Sequence, residues 1–506
     1  MPRGRPVRYR PEATMSLFAT KSIEQIQAEQ LGSGEHSLKR VLGPMNLLLL
    51  GIGAVIGTGI FVLTGQVAAA NSGPAIVISI VFAGTASALA GLCYAEFAST
   101  VPVAGSAYLY AYATLGEFVA WVIGWDLILE YALGAATVAV GWSGNLGALL
   151  AEFGMQFPAA LSAAPGTIVP LAGGGTVTAV FNLPAVLVTI AVTGLLIIGI
   201  QESAIVNSII VIIKVAVVLL IVAGGAMWID PANWRPFVPP NDGTFGTYGW
   251  SGVFRGAAVV FFAYIGFDAV STSAQEARDP QRDMPIGILG TLLVCTVLYI
   301  LVSGVMVGLV PYKALLNEPA PMVVAIDAGA ARAAGTAWQP ILHGLRLLVV
   351  LGTLAGLSSV MLVMMMAQPR IFYAMANDGL LPEWARAIHP RFRTPHITTI
   401  VTGIAVSLAA GFTGIATLGT LVSIGTLMAF VIVSLAVVFL RGRRPDLERP
   451  FAVPFVPALP IASAIVSLIL MASLPWATWE RLIIWMVIGL AVYFLYGVRH
   501  SKLRRR

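Results

Sequence analysis

The residues able to do chemistry in this chain are charged side chains stranded in apolar runs, and Lys214 is the sharpest of them. It sits in SAIVNSIIVIIKVAVVLL, eleven positions after Ser203. At 1.5 Å per residue that is roughly 16 Å into the run, near the midplane of a ~30 Å hydrocarbon core. A lysine stem cannot snorkel that far, and a charged lysine at that depth costs at least about 2.5 kcal/mol. Such a group is a titrating proton carrier, a fixed cation, or one half of a permanent pair with a buried carboxylate. Asp126 and Glu130 stand four apart in another apolar run, so they share a helix face. Intramembrane carboxylates mark ion or substrate paths by default. Glu130 would meet the side chain of a cationic substrate, or pair with Arg255, Arg346 or Lys214. Asp268 is placed to cap backbone or a helix end. His343 and His396 give no metal spacing, Cys93 and Cys295 lie in separate apolar runs, and no phosphate loop or nucleophile with a base at hand is present in the sequence. The pattern points away from an enzyme and from ATP-driven transport, and toward the movement of a charged solute.

The second signal is in the backbone. Residues 51–61 read GIGAVIGTGIF, with glycines at 51, 53, 57 and 59 inside a run long enough to cross a bilayer. In hydrocarbon every N–H and C=O needs a partner, so spans are normally unbroken helices, and opened backbone survives only in protein or at a watery cavity. Glycine is a poor helix former. Half-helix N-termini and unwound carbonyls at such breaks hold the anionic and cationic groups of transported solutes. A second interruption follows five spans later, in FFAYIGFDAVS at 261–271. The bland alternative for the first run is small-xxx-small helix packing through Gly53 and Gly57. The matched second break favours a site.

The elements that must position these residues are apolar spans. Hydrophobic residues make up 58% of the 506 and charged residues 10%, against about 25% charged in soluble chains. Twelve segments qualify: about 44–70, 74–99, 118–151, 183–200, 203–228, 250–275, 286–310, 338–374, 394–411, 416–440, 457–474 and 478–498. The third and eighth are long enough to tilt and project beyond the membrane. Breaks in spans one and six fit two groups of five spans with opposite topology, about 41–228 and 250–440, with two extra spans over 441–498. With the N-terminus inside, the tails and loops of that side carry 22 Lys and Arg and the other side four, Arg235, Lys313, Arg332 and Arg481. This bias places both termini, the tail 1–40 and the basic tail 499–506, in the cytoplasm. No cleavable leader is read in residues 1–40, and Met15 is an alternative start.

Four motifs carry a family resemblance. GIGAVIGTGIF is similar to the first-span motif of the amino acid–polyamine–organocation superfamily. YAEFASTVPVAGSAYLYAYATLGE (94–117) resembles its link between spans two and three. FFAYIGFDAVSTSAQEARDPQRDMP (261–285) and QPRIFYAMANDGLLP (368–382) resemble the cationic amino acid transporter family within it, in a bacterial form. The resemblance implies an all-α polytopic membrane protein of 12 transmembrane helices with a LeuT-like 5+5 inverted repeat. It implies a secondary transporter importing L-amino acids, cationic or small neutral, by alternating access, without a cofactor and with a proton gradient as driving force. The substrate carboxylate would take the amides of Gly57, Thr58 and Gly59, and its ammonium the carbonyls of Val55, Phe262, Ala263 and Ile265. Lys214 matches a fifth-span lysine that stands where related carriers bind sodium. Phe262 and Phe267 would act as a thin gate, and Gly356, Leu357, Ser358 and Ser359 would line the side-chain pocket. Glu276 and Arg278 would close the inner gate within 275–285. Expected partners are alanine, arginine, lysine or a similar amino acid, membrane lipid, and a small membrane subunit of the kind some related carriers have; nucleic acid is not one. The expected place is the bacterial plasma membrane. Two rivals stand beside this reading: an obligate exchanger with Lys214 permanently charged, and a non-transporting amino acid sensor.

Overall fold

The computed structural model describes residues 17–22, 25–26, 42–100, 106–171, 174–199, 204–274 and 276–505. The arginines at 3, 5, 8 and 10, Met15, Ser203 and Gln275 lie outside them. The chain is helical almost throughout: α1 (Pro44–Val55), α2 (Ile76–Thr100), α3 (Ser106–Thr114), α4 (Glu117–Glu152), α5 (Leu183–Ile198), α6 (Ala204–Ala226), α7 (Gly249–Val260), α8 (Phe267–Thr272), α9 (Pro280–Leu309), α10 (Pro321–Arg332), α11 (Trp338–Asn377), α12 (His396–Phe412), α13 (Ile415–Arg443), α14 (Ala458–Ser473) and α15 (Trp476–Val492). A short antiparallel hairpin, Ile168–Pro170 with Thr176–Thr178, caps one loop. Among the described residues, seven helical stretches are long and apolar enough to cross a membrane, and α1, α5, α12 and α14 are shorter apolar helices. At 1.5 Å per residue, α4 and α11 run for roughly 54 and 60 Å, well beyond a ~30 Å core.

Both expected interruptions are present. Pro44 starts α1 at a position where a missing N–H costs nothing. α1 stops at Val55 because Ile56 turns extended (φ −73°, ψ 96°). The chain then re-enters helix over 59–72 through two π-helical turns flanking Thr64–Val67. In the second interruption, α7 gives way to a tight turn at Phe261–Tyr264, Ile265 is extended, and Gly266 takes φ +113° before α8 begins. That conformation is open to glycine at little cost.

The two breaks grip each other reciprocally. A Cβ on Gly59 would strike the backbone and side chain of Ala263, and one on Gly266 would lie 3.0 Å from the carbonyl carbon and oxygen of Ala54. The glycine of each break therefore lies on the chain just ahead of the other.

Both described chain ends lie on one face. Lys21 Nζ lies 2.7 Å from Asp378 Oδ1 at the end of α11, and Tyr108 donates to the other oxygen at 2.7 Å. The Lys502 amide donates to the Asp378 carbonyl at 3.0 Å. Glu117, at the start of α4, is buried and accepts from Tyr112, Tyr493, Ser501 and Arg504. On the opposite face, α10 plugs the gap between elements. Its approach places Pro319 against Gly144 and Pro321 against Gly65. Ala320 and Val323 bury themselves with Val350 and Leu354, beside Trp142.

Candidate substrate site at the two breaks

Breaking α1 frees its last carbonyls, and each freed group in a buried place needs a partner. The Ile52 carbonyl takes the Ile56 amide at 2.9 Å. The Gly53 carbonyl takes Lys214 Nζ at 2.7 Å. The Val55 carbonyl takes the hydroxyl of Tyr299, on α9, at 2.8 Å. That hydroxyl lies equally close, 2.8 Å, to the Ala263 carbonyl of the second break. A single phenol thus ties the two breaks together, donating to one carbonyl at a time. Lys214 is fully buried. Its cation sits where the negative end of the α1 dipole is exposed, a favourable place for positive charge. Gly356 makes room for its stem: a Cβ there would lie 3.0 Å from Lys214 Cε and 3.2 Å from Cγ.

The donors at the break are left open. Gly57, Thr58 and Gly59 begin the second arm, where the first amides of a helix have no intrahelical acceptor. Thr58 is fully buried, and its hydroxyl oxygen has no hydrogen-bond partner among the described residues. Its methyl and hydroxyl face Gly141 of α4, and a Cβ on Gly57 would lie 3.1 Å from Val360 of α11. The arrangement offers unpaired donors to an anion beside carbonyls that carry two lone pairs each and so can accept again.

The other expected residues fall as follows. Phe262 is buried at the second break, and its carbonyl accepts the Ile265 amide at 3.1 Å. Ile265 is the buried, extended residue of that break. Phe267 packs in an aromatic cluster with Tyr94 and Phe430, ring centroids 5.7 and 5.3 Å away. Asp268 Oδ1 accepts from the Gly266 amide at 3.2 Å and Oδ2 from Tyr131 at 3.1 Å, so it caps the broken backbone. Leu357 is fully buried. Ser358 accepts from the Trp142 indole at 3.1 Å and donates to the Leu354 carbonyl at 2.8 Å. Ser359, beside it, has a buried hydroxyl with no hydrogen-bond partner among the described residues.

The pairings considered for Glu130 are not made. Arg255 donates to the Ser473 carbonyl, Arg346 is held by Glu152 and Asp327, and Lys214 caps Gly53. Glu130 and Asp126 are buried; Asp126 has no hydrogen-bond partner among the described residues, and the Thr426 hydroxyl lies within reach of Glu130. Glu130 also stands eleven residues before Gly141 on α4, roughly 16 Å along the helix from the residue facing Thr58. Its neighbour Tyr131 donates to Asp268, and Asp268 is within electrostatic reach of Glu130, so Glu130 lies toward the second break rather than beside Thr58. At the proposed inner gate, the Leu42 amide donates to the Glu276 carbonyl and the Arg278 amide to the Leu42 carbonyl, each at 2.9 Å.

Comparison with known proteins agrees with this architecture. The sequence profile described as Amino acid permease matches residues 42–493. The chain belongs to the amino acid permease family. A methylthioribose transporter of Bacillus subtilis (strain 168) is 46% identical over 97% of this chain and 100% of the relative. The branched-chain amino acid permease BcaP of the same organism is 46% identical over 97% and 99%. The vacuolar cationic amino acid transporter 4 of Arabidopsis thaliana is 39% identical over 85% of this chain and 68% of the relative. These relatives are permeases and transporters, not enzymes, and the chain is an integral membrane protein of the same kind.

Sequence reasoning missed Tyr299. A tyrosine alone in the apolar run LVCTVLYILVSG was the available signal, because a buried phenol needs a hydrogen-bond partner. α10 carried no such signal: its mixed composition reads as loop.

Proposed function

We propose that this permease is a secondary importer of L-amino acids with small or aliphatic neutral side chains, working by alternating access and coupled to protons through Lys214. The observation that carries the reading is the division of labour at the first break. The Thr58 hydroxyl stands open beside the first amides of a helical arm, which have no intrahelical acceptor, while a lysine caps the carbonyl end of α1. A substrate carboxylate takes the donors. The ammonium shares the Val55 and Ala263 carbonyls with Tyr299. This recognition reads only the groups common to all amino acids, so the side-chain wall sets selectivity.

That wall favours neutral substrates. Gly57 looks onto Val360, Leu357 is buried close by in sequence, Asp268 is engaged at Gly266 and Tyr131, and Glu130 stands about 16 Å along α4 from Gly141, the residue that faces Thr58. A buried guanidinium or ammonium without a counter-charge is costly. The branched-chain permease among the relatives points the same way.

The reciprocal packing of Gly59 on Ala263 and Gly266 on Ala54 is what two inverted five-span repeats produce at their pseudo-symmetry axis. With twelve spans and both termini on the basic, cytoplasmic side, the plug helix α10 faces outward. The bundle of spans one, two, six and seven rocks against the rest. The bacterial relatives suit a plasma-membrane location.

A second reading rests on one observation, the methylthioribose transporter that is as similar as the branched-chain permease. Uptake into proteoliposomes of radiolabelled L-leucine, L-alanine, L-arginine and methylthioribose, with and without an inward proton gradient, separates the readings. Gradient-stimulated leucine and alanine uptake is expected. Uptake of methylthioribose alone, or of arginine in preference to leucine, would overturn the proposal. Exchange indifferent to the gradient would favour the obligate exchanger, and binding without uptake the sensor.

A further inference from the structure

A charge cluster outside the substrate site joins three elements on the face away from the chain ends. Arg346, near the start of α11, contacts Glu152, the last residue of α4, and its Nε lies 2.9 Å from Asp327 Oδ1 on α10. These side chains are partly exposed, Asp327 to 45%, so protons from that side reach them. The charged groups that face Asp327 are Arg346, Glu152 and His343.

The place of the cluster gives it leverage. α10 is pinned to the first interrupted segment through Pro321 on Gly65 and through Gln66, whose amide donates to the Glu318 carbonyl at 3.1 Å. It is pinned to α4 and α11 through Pro319 on Gly144, through the small apolar group of Ala320, Val323, Val350 and Leu354, and through Arg346. A third attachment holds the far end of α10, where Arg332 donates to the Trp228 and Leu309 carbonyls, and Met322, Ala325, Ile326 and Ala330 lie in the main core; for this face to open, at least one of the three must part. The second has a compact apolar contact and an ion cluster at its rim, and the ion cluster is the part that acid can weaken.

We propose that Arg346, Glu152 and Asp327 form an outer latch released by acid: ionised Asp327 holds the plug helix against α4 and α11, and its protonation lets the plug swing away. The desolvation that accompanies its position pushes the Asp327 carboxyl above the usual carboxylate range, with the Arg346 charge opposing. The sign is consistent. A carboxyl that takes up a proton more readily than a free aspartate lets go of Arg346 at milder acidity. Outward opening is thereby favoured under the same condition that would drive proton-coupled import. The inference takes the outward direction of this face from the proposed function, but its test does not read transport.

The test is thiol labelling of Leu354→Cys, beneath the plug, in protein whose buried Cys93 and Cys295 are replaced by alanine. A membrane-impermeant reagent is supplied from outside at neutral and at mildly acidic pH, with and without Asp327→Asn. The ratio of the two labelling rates cancels the thiol's own pH dependence. A ratio of about three to five is expected at neutral pH, in the range a partly exposed ion pair supplies, falling toward one in acid. Glu152→Gln, which leaves Asp327 in place, should keep an acid response. A ratio of one at both pH values, an equal elevation at both, or labelling only from the side of the chain termini would overturn the proposal.

Discussion

Replacing Lys214 with methionine, which keeps the stem and removes the charge, should leave the protein folded and abolish its response to a proton gradient. The magnitudes follow from the environment of the side chain. The variant loses a charge-assisted hydrogen bond to the Gly53 carbonyl, about 1.5–3 kcal/mol. It also loses the interaction of a cation with the C-terminal end of α1, about 0.3–1 kcal/mol. Against this, it no longer holds a lysine near the midplane, a cost of at least about 2.5 kcal/mol when charged. The Gly53 carbonyl is also left short of a donor, at about 1–3 kcal/mol, so the thermal midpoint of the purified variant should fall modestly while the protein stays folded. Gradient-driven accumulation of labelled leucine in proteoliposomes should fall at least tenfold. Exchange of internal for external leucine, which moves no net proton, should persist. Full gradient-driven accumulation by the methionine variant would refute the coupling role. An unfolded variant would instead show that Lys214 is chiefly a structural cap.

Three further substitutions probe the site. Thr58→Val keeps the shape and removes a buried hydroxyl that has no partner, so stability should hold or rise while leucine affinity, read as KM, weakens about tenfold, the worth of one neutral hydrogen bond. Gly59→Ala drives a methyl into Ala263, and overpacking of this kind costs about 1–3 kcal/mol; transport should be lost and the thermal midpoint should drop. Tyr299→Phe unties Val55 from Ala263, leaving a buried carbonyl short of a donor at about 1–3 kcal/mol, and should raise the leucine KM and lower the melting temperature together.

Much of the fold was legible because membrane solvent imposes strict rules. The apolar segments fall on helical stretches, seven of which among the described residues are long and apolar enough to cross a membrane, and the lengths of α4 and α11 were visible as over-long runs. The breaks were legible too, because glycines in GIGAVIGTGIF and the lone Gly266 cannot be explained by helix propensity. What could not be read was contact across the chain. Gly356 looked like pocket lining, yet it serves the Lys214 stem. Glu130 looked ready to pair with one of three cations, yet each of those is engaged elsewhere. The plug helix hid because its composition is mixed, although Met322, Val323, Ala325, Ile326 and Ala330 are all buried once it docks. Periodicity reports which face of a helix is apolar, and it does not report which neighbour that face meets.

The central claim is that the two breaks recognise the carboxylate and the ammonium of one substrate through main-chain groups, Thr58 and Tyr299. Competition against labelled leucine uptake tests it most directly. The competitors are leucine, isoamylamine, which lacks the carboxylate, 4-methylpentanoate, which lacks the ammonium, and methylthioribose, which lacks both. Strong competition by leucine alone, with each truncated compound weaker by at least tenfold, is the predicted result. Competition by methylthioribose or by either truncated compound at the strength of leucine would contradict the account.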